Sequence, residues 1–173
     1  MRRLRRTCDS RIRELGLPAS CGLDELMAAI AAMRGRPIRA VAVPLPVSRP
    51  CGLWISTDTE DLVFYEADTT RLRQEHIILH ELGHMICGHS GEGLIDGELA
   101  RMLFPDLNIQ LLRSMLPRSA YDDRQETEAE VMASVLAQRA RHWTARQPAD
   151  TSADPSTVQR LSQSLAPRWG KEW

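Results

Sequence analysis

Residues 70–88, TRLRQEHIILHELGHMICG, decide how the rest of the chain is read. They hold no Pro, and the only internal Gly is Gly83, so nothing in the stretch breaks a helix outright. Ile78, Leu79, Leu82, Met85 and Ile86 make an apolar stripe, which predicts a helix with one buried face. Asp68-Thr69-Thr70 can cap its start. His80 and His84 are four apart, so their imidazoles project from one side of the helix, a turn apart. Glu81 stands about 100° further round. A Gly inside a helix costs up to about 1 kcal/mol relative to Ala. Gly83 therefore implies a neighbouring backbone, a ligand or a crossing helix passing close.

Two imidazoles so placed can hold one Zn²⁺ through nitrogens at about 2.0–2.1 Å, and HExxH on a helix reads as the metal site of a zinc-dependent peptide hydrolase with the Glu as general base. A catalytic zinc takes three protein ligands and keeps a fourth position open. The third ligand must come from elsewhere. Residues 122–142, DDRQETEAEVMASVLAQRARH, predict a second long helix capped by Asp122 or Asp123. Its expected buried face is Ala129, Met132, Ala133, Leu136, Ala137 and Ala140. Glu126 lies nearest that face, about 60° from its centre, while Glu128 and Glu130 are each about 100° away. Glu126 is the expected third ligand, with Glu130 and then Glu128 as the alternatives. Glu130, one turn on, is placed to orient a ligand histidine through its second ring nitrogen. Glu128 reads as a solvated helix charge, the usual state of Glu.

HIILHELGHMICGH followed by ETEAE resembles the ImmA/IrrE-type zinc metallopeptidases, a gluzincin-like family with HELGH, a trailing His and E-x-E-A-N/D in the next long helix. The resemblance covers about residues 20–142 and is similar in particular to an actinobacterial group. It implies His80, His84 and Glu126 as metal ligands and Glu81 as the base. This chain departs from the pattern in having Glu130 where Asn or Asp is usual, and Val131-Met132-Ala133 where Phe-Ala usually follows. The segment between the motifs, residues 91–120, is longer than in compact members. Relatives of this kind cleave or inactivate DNA-binding repressors, often helix-turn-helix proteins, and some similar sequences belong to toxin–antitoxin pairs.

With 173 residues, 43% hydrophobic and 26% charged, the composition is that of a soluble globular chain. A net charge of −1 gives no global field for nucleic acid or membrane. MRRLRRTCDSRIRELG, the one basic cluster, lacks the apolar core of a secretory signal, and no apolar run approaches a membrane span; a cytoplasmic location is expected. Leu4, Cys8, Ile12 and Leu15 recur at helical spacing and predict an amphipathic helix with an Arg-rich outer face. Cys8, Cys21, Cys51 and Cys87 show no CxxC pairing and read as reduced thiols. Cys87, one turn after His84, is near enough in sequence to approach the metal, but no second structural zinc is indicated.

Residues 23–34 predict a helix stopped by Gly35 and Pro37, and Ile38–Val43 a short strand. Cys51–Thr57 and Leu62–Ala67 predict a hairpin around Asp58-Thr59-Glu60-Asp61. The expected fold is α+β and zincin-like: a small antiparallel sheet of about three strands, packed with the HExxH helix and a second ligand helix. The expected organisation is a basic helix over 1–20, the metallopeptidase-like domain over 21–143, and a flexible tail with a short helix over 144–173. Phe104, Leu107, Leu111, Leu112 and Met115 are expected to roof the cleft, and Trp169 and Trp173 to dock on the domain or a partner.

These readings predict an enzyme that binds one Zn²⁺ and hydrolyses a peptide bond in a regulatory protein, by resemblance a helix-turn-helix regulator. Extended substrate would pair with a sheet edge, either Leu62–Ala67 or Cys51–Thr57. Tyr121, His76 and His89 are candidate donors to the developing oxyanion. The alternative is a metal-stabilised binding protein, or a toxin–antitoxin component, acting by docking without proteolysis. Direct nucleic-acid binding has only the N-terminal arginines behind it.

Overall fold

The computed structural model describes residues 2–16, 21–44, 52–57, 59–89 and 121–139. The expectations for Cys51 and Asp58, the roof over 91–120, and the tail with Trp169 and Trp173 lie outside these residues. The fold is α+β. In order along the chain come helices α1 (Arg2–Glu14) and α2 (Leu23–Arg34), strands β1 (Ile38–Val43), β2 (Gly52–Ser56) and β3 (Asp61–Glu66), and helices α3 (Arg71–Cys87) and α4 (Asp123–Arg139).

Local chemistry sets most of these boundaries. Gly35 ends α2 in the left-handed region at φ 69°, its N–H reaching the carbonyls of Ala31 and Ala32. Thr70 caps α3 by accepting from the Arg73 N–H, and Gly88 closes that helix at φ 72°. Asp122 caps α4: its Oδ1 accepts from the Gln125 N–H at 2.7 Å, and Gln125 accepts from the Asp122 N–H at 3.1 Å.

The sheet order is β1-β3-β2, with β2 antiparallel and β1 parallel to β3. The sheet is therefore mixed, not antiparallel throughout. A hairpin fixes β2 against β3, and β1, running opposite to β2, takes the remaining edge of β3. The central place goes to the strand with the continuous apolar run Leu62–Tyr65, buried on both faces, as an interior strand requires. Asp61, expected in the turn, is the first residue of β3 and is wholly buried.

Trp54, Val63 and Tyr65 turn one sheet face to the helices, where they join Leu26 and Ile30 of α2, Ile78, Leu82 and Met85 of α3 and Met132 and Leu136 of α4. Cys8 and Ile12 of α1 are buried in the same core, and Leu4 and Leu15 pack at its margin. The basic helix is thus built into the body, with Arg139 pairing Asp9 at 3.3 Å and Arg5 donating to Gln138. Along α4 the buried face is Ala129, Met132, Ala133, Val135 and Leu136. Ala137, expected inside, is exposed, because the face is rotated toward Val135; Ala140 lies outside the described residues. Among the described residues no helix is long and apolar enough to cross a membrane.

Candidate metal centre

The site is made where α3 crosses α4. A Cβ on Gly83 would sit 2.8 Å from the carbonyl oxygen of Ala129 and 3.3 Å from its Cα. That is too close for any side chain against backbone that cannot swing aside. The missing methyl group thus lets two helix backbones meet, and of the three reasons Gly83 suggested, the crossing helix is the one present. A small residue on each side, Gly83 and Ala129, brings the first turn of α4 over the histidine face of α3.

At that crossing His80, His84 and Glu126 offer donor atoms within 4.8 Å of one another. His80 Nε2 stands 3.1 Å from His84 Nε2 and 3.2 Å from Glu126 Oε2, and His84 Nε2 stands 3.7 Å from Glu126 Oε1. Two N/O donors bound at about 2.0–2.1 Å at the tetrahedral angle lie about 3.3–3.4 Å apart. The two imidazole nitrogens stand close to that distance and each has a Glu126 oxygen within 3.7 Å, an arrangement compatible with one shared cation. His84 is fully buried, and its pKa is lowered to about 3 by burial and by the neighbouring His80 and His89. It stays neutral at physiological pH, the form a metal needs. Glu126, with its side chain 48% exposed, leaves the set open to solvent on one side.

Glu81 lies beside these donors and is only 6% exposed. Its pKa is raised to about 8, by burial first and by the negative charge of Glu126 second, with a hydrogen bond from the Trp54 main chain acting the other way. Space for its carboxylate comes from β2. A Cβ on Gly52 would lie 2.5 Å from Ile77 Cγ2 and 2.8 Å from Glu81 Oε1. Because β3 is central, β2 is the edge of the two strands considered for substrate pairing, and it is the strand against the base.

The remaining expected residues fall into two groups. Glu130 Oε2 stands 3.4 Å from His80 Nδ1 and 3.3 Å from His76 Nε2, on the exposed side. Behind the centre, the Tyr121 ring stacks on His84 with centroids 3.6 Å apart and planes 22° from parallel. His89 Nδ1 lies 2.9 Å from His84 Nδ1, and His89 Nε2 lies 3.4 Å from Glu128 Oε2. Glu128 is therefore not the solvated charge expected; its side chain is 18% exposed and also accepts from Arg124 Nε at 3.1 Å. Cys87 does not join His80, His84 and Glu126. It groups with His89 and Glu128, three donor-bearing side chains within 4.8 Å that spacing along the chain did not single out. A signal existed: Gly88 after the motif helix turns the chain back, which returns His89 to the helix end.

No protein-family model, no curated protein and no solved structure matches the chain. What the geometry shows is a candidate His/His/Glu metal-binding group on two crossed helices, consistent with a zincin-like site.

Proposed function

We propose that this chain is a zinc-dependent peptidase that cleaves a peptide bond in a regulatory protein. The observation that carries the reading is the pairing of the His80, His84 and Glu126 donor set with a buried acid, Glu81, that a purely structural ion would have no use for. Zinc held there would supply the Lewis acid that polarises a carbonyl and lowers the pKa of water. Glu81 takes the proton of the attacking water as it adds to the scissile carbonyl, and returns it to the amine nitrogen as the C–N bond breaks. In the metal-free protein burial and the Glu126 carboxylate raise the Glu81 pKa, and a cation held beside it would draw the group back toward the carboxylate that the first transfer needs. Glu130 holds His80 through Nδ1. The edge of β2 offers main-chain pairing to an extended peptide beside Glu81, the mode in which backbone hydrogen bonds give affinity and side-chain pockets give selectivity. The likeness of HELGH and ETEAE to ImmA/IrrE-type enzymes supports a helix-turn-helix regulator as the substrate.

The test compares wild-type protein with Glu81→Gln and His80→Ala on an unfolded protein substrate, with zinc content measured in each. Glu81→Gln is expected to keep one zinc and lose hydrolysis; His80→Ala is expected to lose both. Undiminished hydrolysis by Glu81→Gln would refute Glu81 as the base.

A further inference from the structure

The polar residues behind the metal centre form an ordered line. His84 presents Nε2 to His80 and Glu126, so Nε2 is the nitrogen it would offer a metal, and Nδ1 would then carry the ring proton. That Nδ1 faces His89 Nδ1 at 2.9 Å, between two buried rings, and one proton serves the pair. With His84 donating, His89 Nδ1 accepts, and a neutral His89 then carries its proton on Nε2, which faces the Glu128 carboxylate at 3.4 Å. A single protonation pattern satisfies every atom in the line. Each part is also held in place. Tyr121 stacks on His84, the His89 N–H donates to the His84 carbonyl at 3.0 Å, and Arg124 holds Glu128.

We propose that His89 and Glu128 are positioning residues for the metal centre, a two-step relay that fixes the tautomer and ring orientation of His84 and tightens metal binding. The proposal rests on the metal reading above. Partners of this kind change metal affinity through the ligand's second nitrogen, typically by 10–100-fold when removed. The relay on His84 is the buried one; its counterpart on His80, Glu130, has a side chain 54% exposed.

The same geometry decides between this role and a competing one. Cys87, His89 and Glu128 together resemble a second metal site. To bind there, His89 would give up its Nε2 lone pair and move its proton to Nδ1. Two N–H groups would then face each other at 2.9 Å whenever His84 held its own metal. With His84 ligated, the relay pattern is the one that leaves no such clash.

The experiment titrates the full chain with zinc and with cobalt(II), in wild type, His89→Leu, His89→Gln and Glu128→Gln, and reads histidine tautomers in the zinc-loaded wild type by ¹⁵N NMR. His89→Leu is expected to bind one zinc about 10–100-fold more weakly. His89→Gln, whose amide oxygen can accept from His84 Nδ1, is expected to recover most of the loss. Glu128→Gln is expected to weaken binding less than His89→Leu. The NMR signature is His89 protonated on Nε2 and bare on Nδ1, a readout that packing alone would not fix. Wild-type affinity in His89→Leu, or a proton on His89 Nδ1, overturns the relay while leaving the metal site intact. A cobalt–thiolate charge-transfer band lost in Cys87→Ser overturns it in favour of the second site. Failure of wild type to bind any metal overturns both the relay and the reading beneath it.

Discussion

Asp61 and Glu81 are both carboxylates shut away from water, at 0% and 6% exposure, and the protein drives them in opposite directions. Burial pushes the pKa of each up. At Asp61 that push is outweighed by hydrogen bonds from Arg34, Trp54 and Ser56, and the net shift is downward. Arg34 meets both oxygens, Trp54 Nε1 donates to Oδ1 at 3.0 Å, and the Arg34 guanidinium lies 4.6 Å over the Trp54 ring. At Glu81 no cation among the described residues offsets the burial, the Glu126 carboxylate adds to it, and the pKa is raised to about 8. The difference teaches how surroundings set the charge of a buried carboxyl. Asp61 is an ionised tie between α2 and the sheet. Glu81 keeps its proton to higher pH in the metal-free protein and lies beside the candidate metal donors, the kind of perturbed group that the proposed peptidase reading assigns as its base.

The largest effect that separates them is expected from Asp61→Ala. It leaves the Arg34 charge and the Trp54 N–H without their partner and should cost about 3 kcal/mol, measured by chemical denaturation. A loss below about 0.5 kcal/mol would reduce Asp61 to an ordinary polar residue.

The next is a pH dependence. The Glu81 pKa rises from an ordinary 4.5 to about 8, so the folded state keeps a proton that the unfolded chain has released, and metal-free stability falls across that window. His84 is depressed from 6.5 to about 3, so the unfolded chain takes a proton that the folded state refuses, and stability is lost as pH falls below 6.5. The two slopes oppose each other between 4.5 and 6.5, and above 6.5 only the Glu81 slope remains. Metal-free protein should therefore lose on the order of 2 kcal/mol of stability between pH 6.5 and 8, and Glu81→Gln should abolish that loss. An unchanged slope in the variant would place the titration on another group.

The smallest concerns the helix crossing beside Glu81, which has no counterpart at Asp61. Gly83→Ala gains up to about 1 kcal/mol in helix propensity but forces a methyl group onto the Ala129 backbone, where overpacking costs roughly 1–3 kcal/mol. The net expectation is a loss of about 1 kcal/mol with weakened metal binding, because the helices must part. Stability and metal affinity both unchanged would mean that the crossing tolerates the methyl group.

The contrast also marks what could be read from sequence. Thr70, Gly35 and Gly88 act on their own helices, so α2 and α3 were legible with their ends. His80, His84 and Glu81 follow from 3.6-residue geometry alone, and Glu126 from the angle it makes with the apolar face of α4. Asp61 was not legible, because an Asp beside Asp58-Thr59-Glu60 has the look of a turn residue, and only the fold brings Arg34, Trp54 and Ser56 round it to make burial tolerable. Glu128 and His89 were missed as a pair for the same reason. Their meeting depends on how far α4 is rotated, and the Val135-for-Ala137 exchange on its buried face shows that propensity fixed that rotation only roughly. The parallel pairing of β1 with β3 depends on which strand takes the centre, a tertiary choice.

The central claim is that His80, His84 and Glu126 bind one metal ion together. Elemental analysis by mass spectrometry of the purified full chain, beside Glu126→Ala, tests it most directly. About one zinc per wild-type chain, retained through dialysis and lost in Glu126→Ala, is the predicted result. A wild-type chain that takes up no transition metal, or a Glu126→Ala chain that holds it as tightly, would contradict the account.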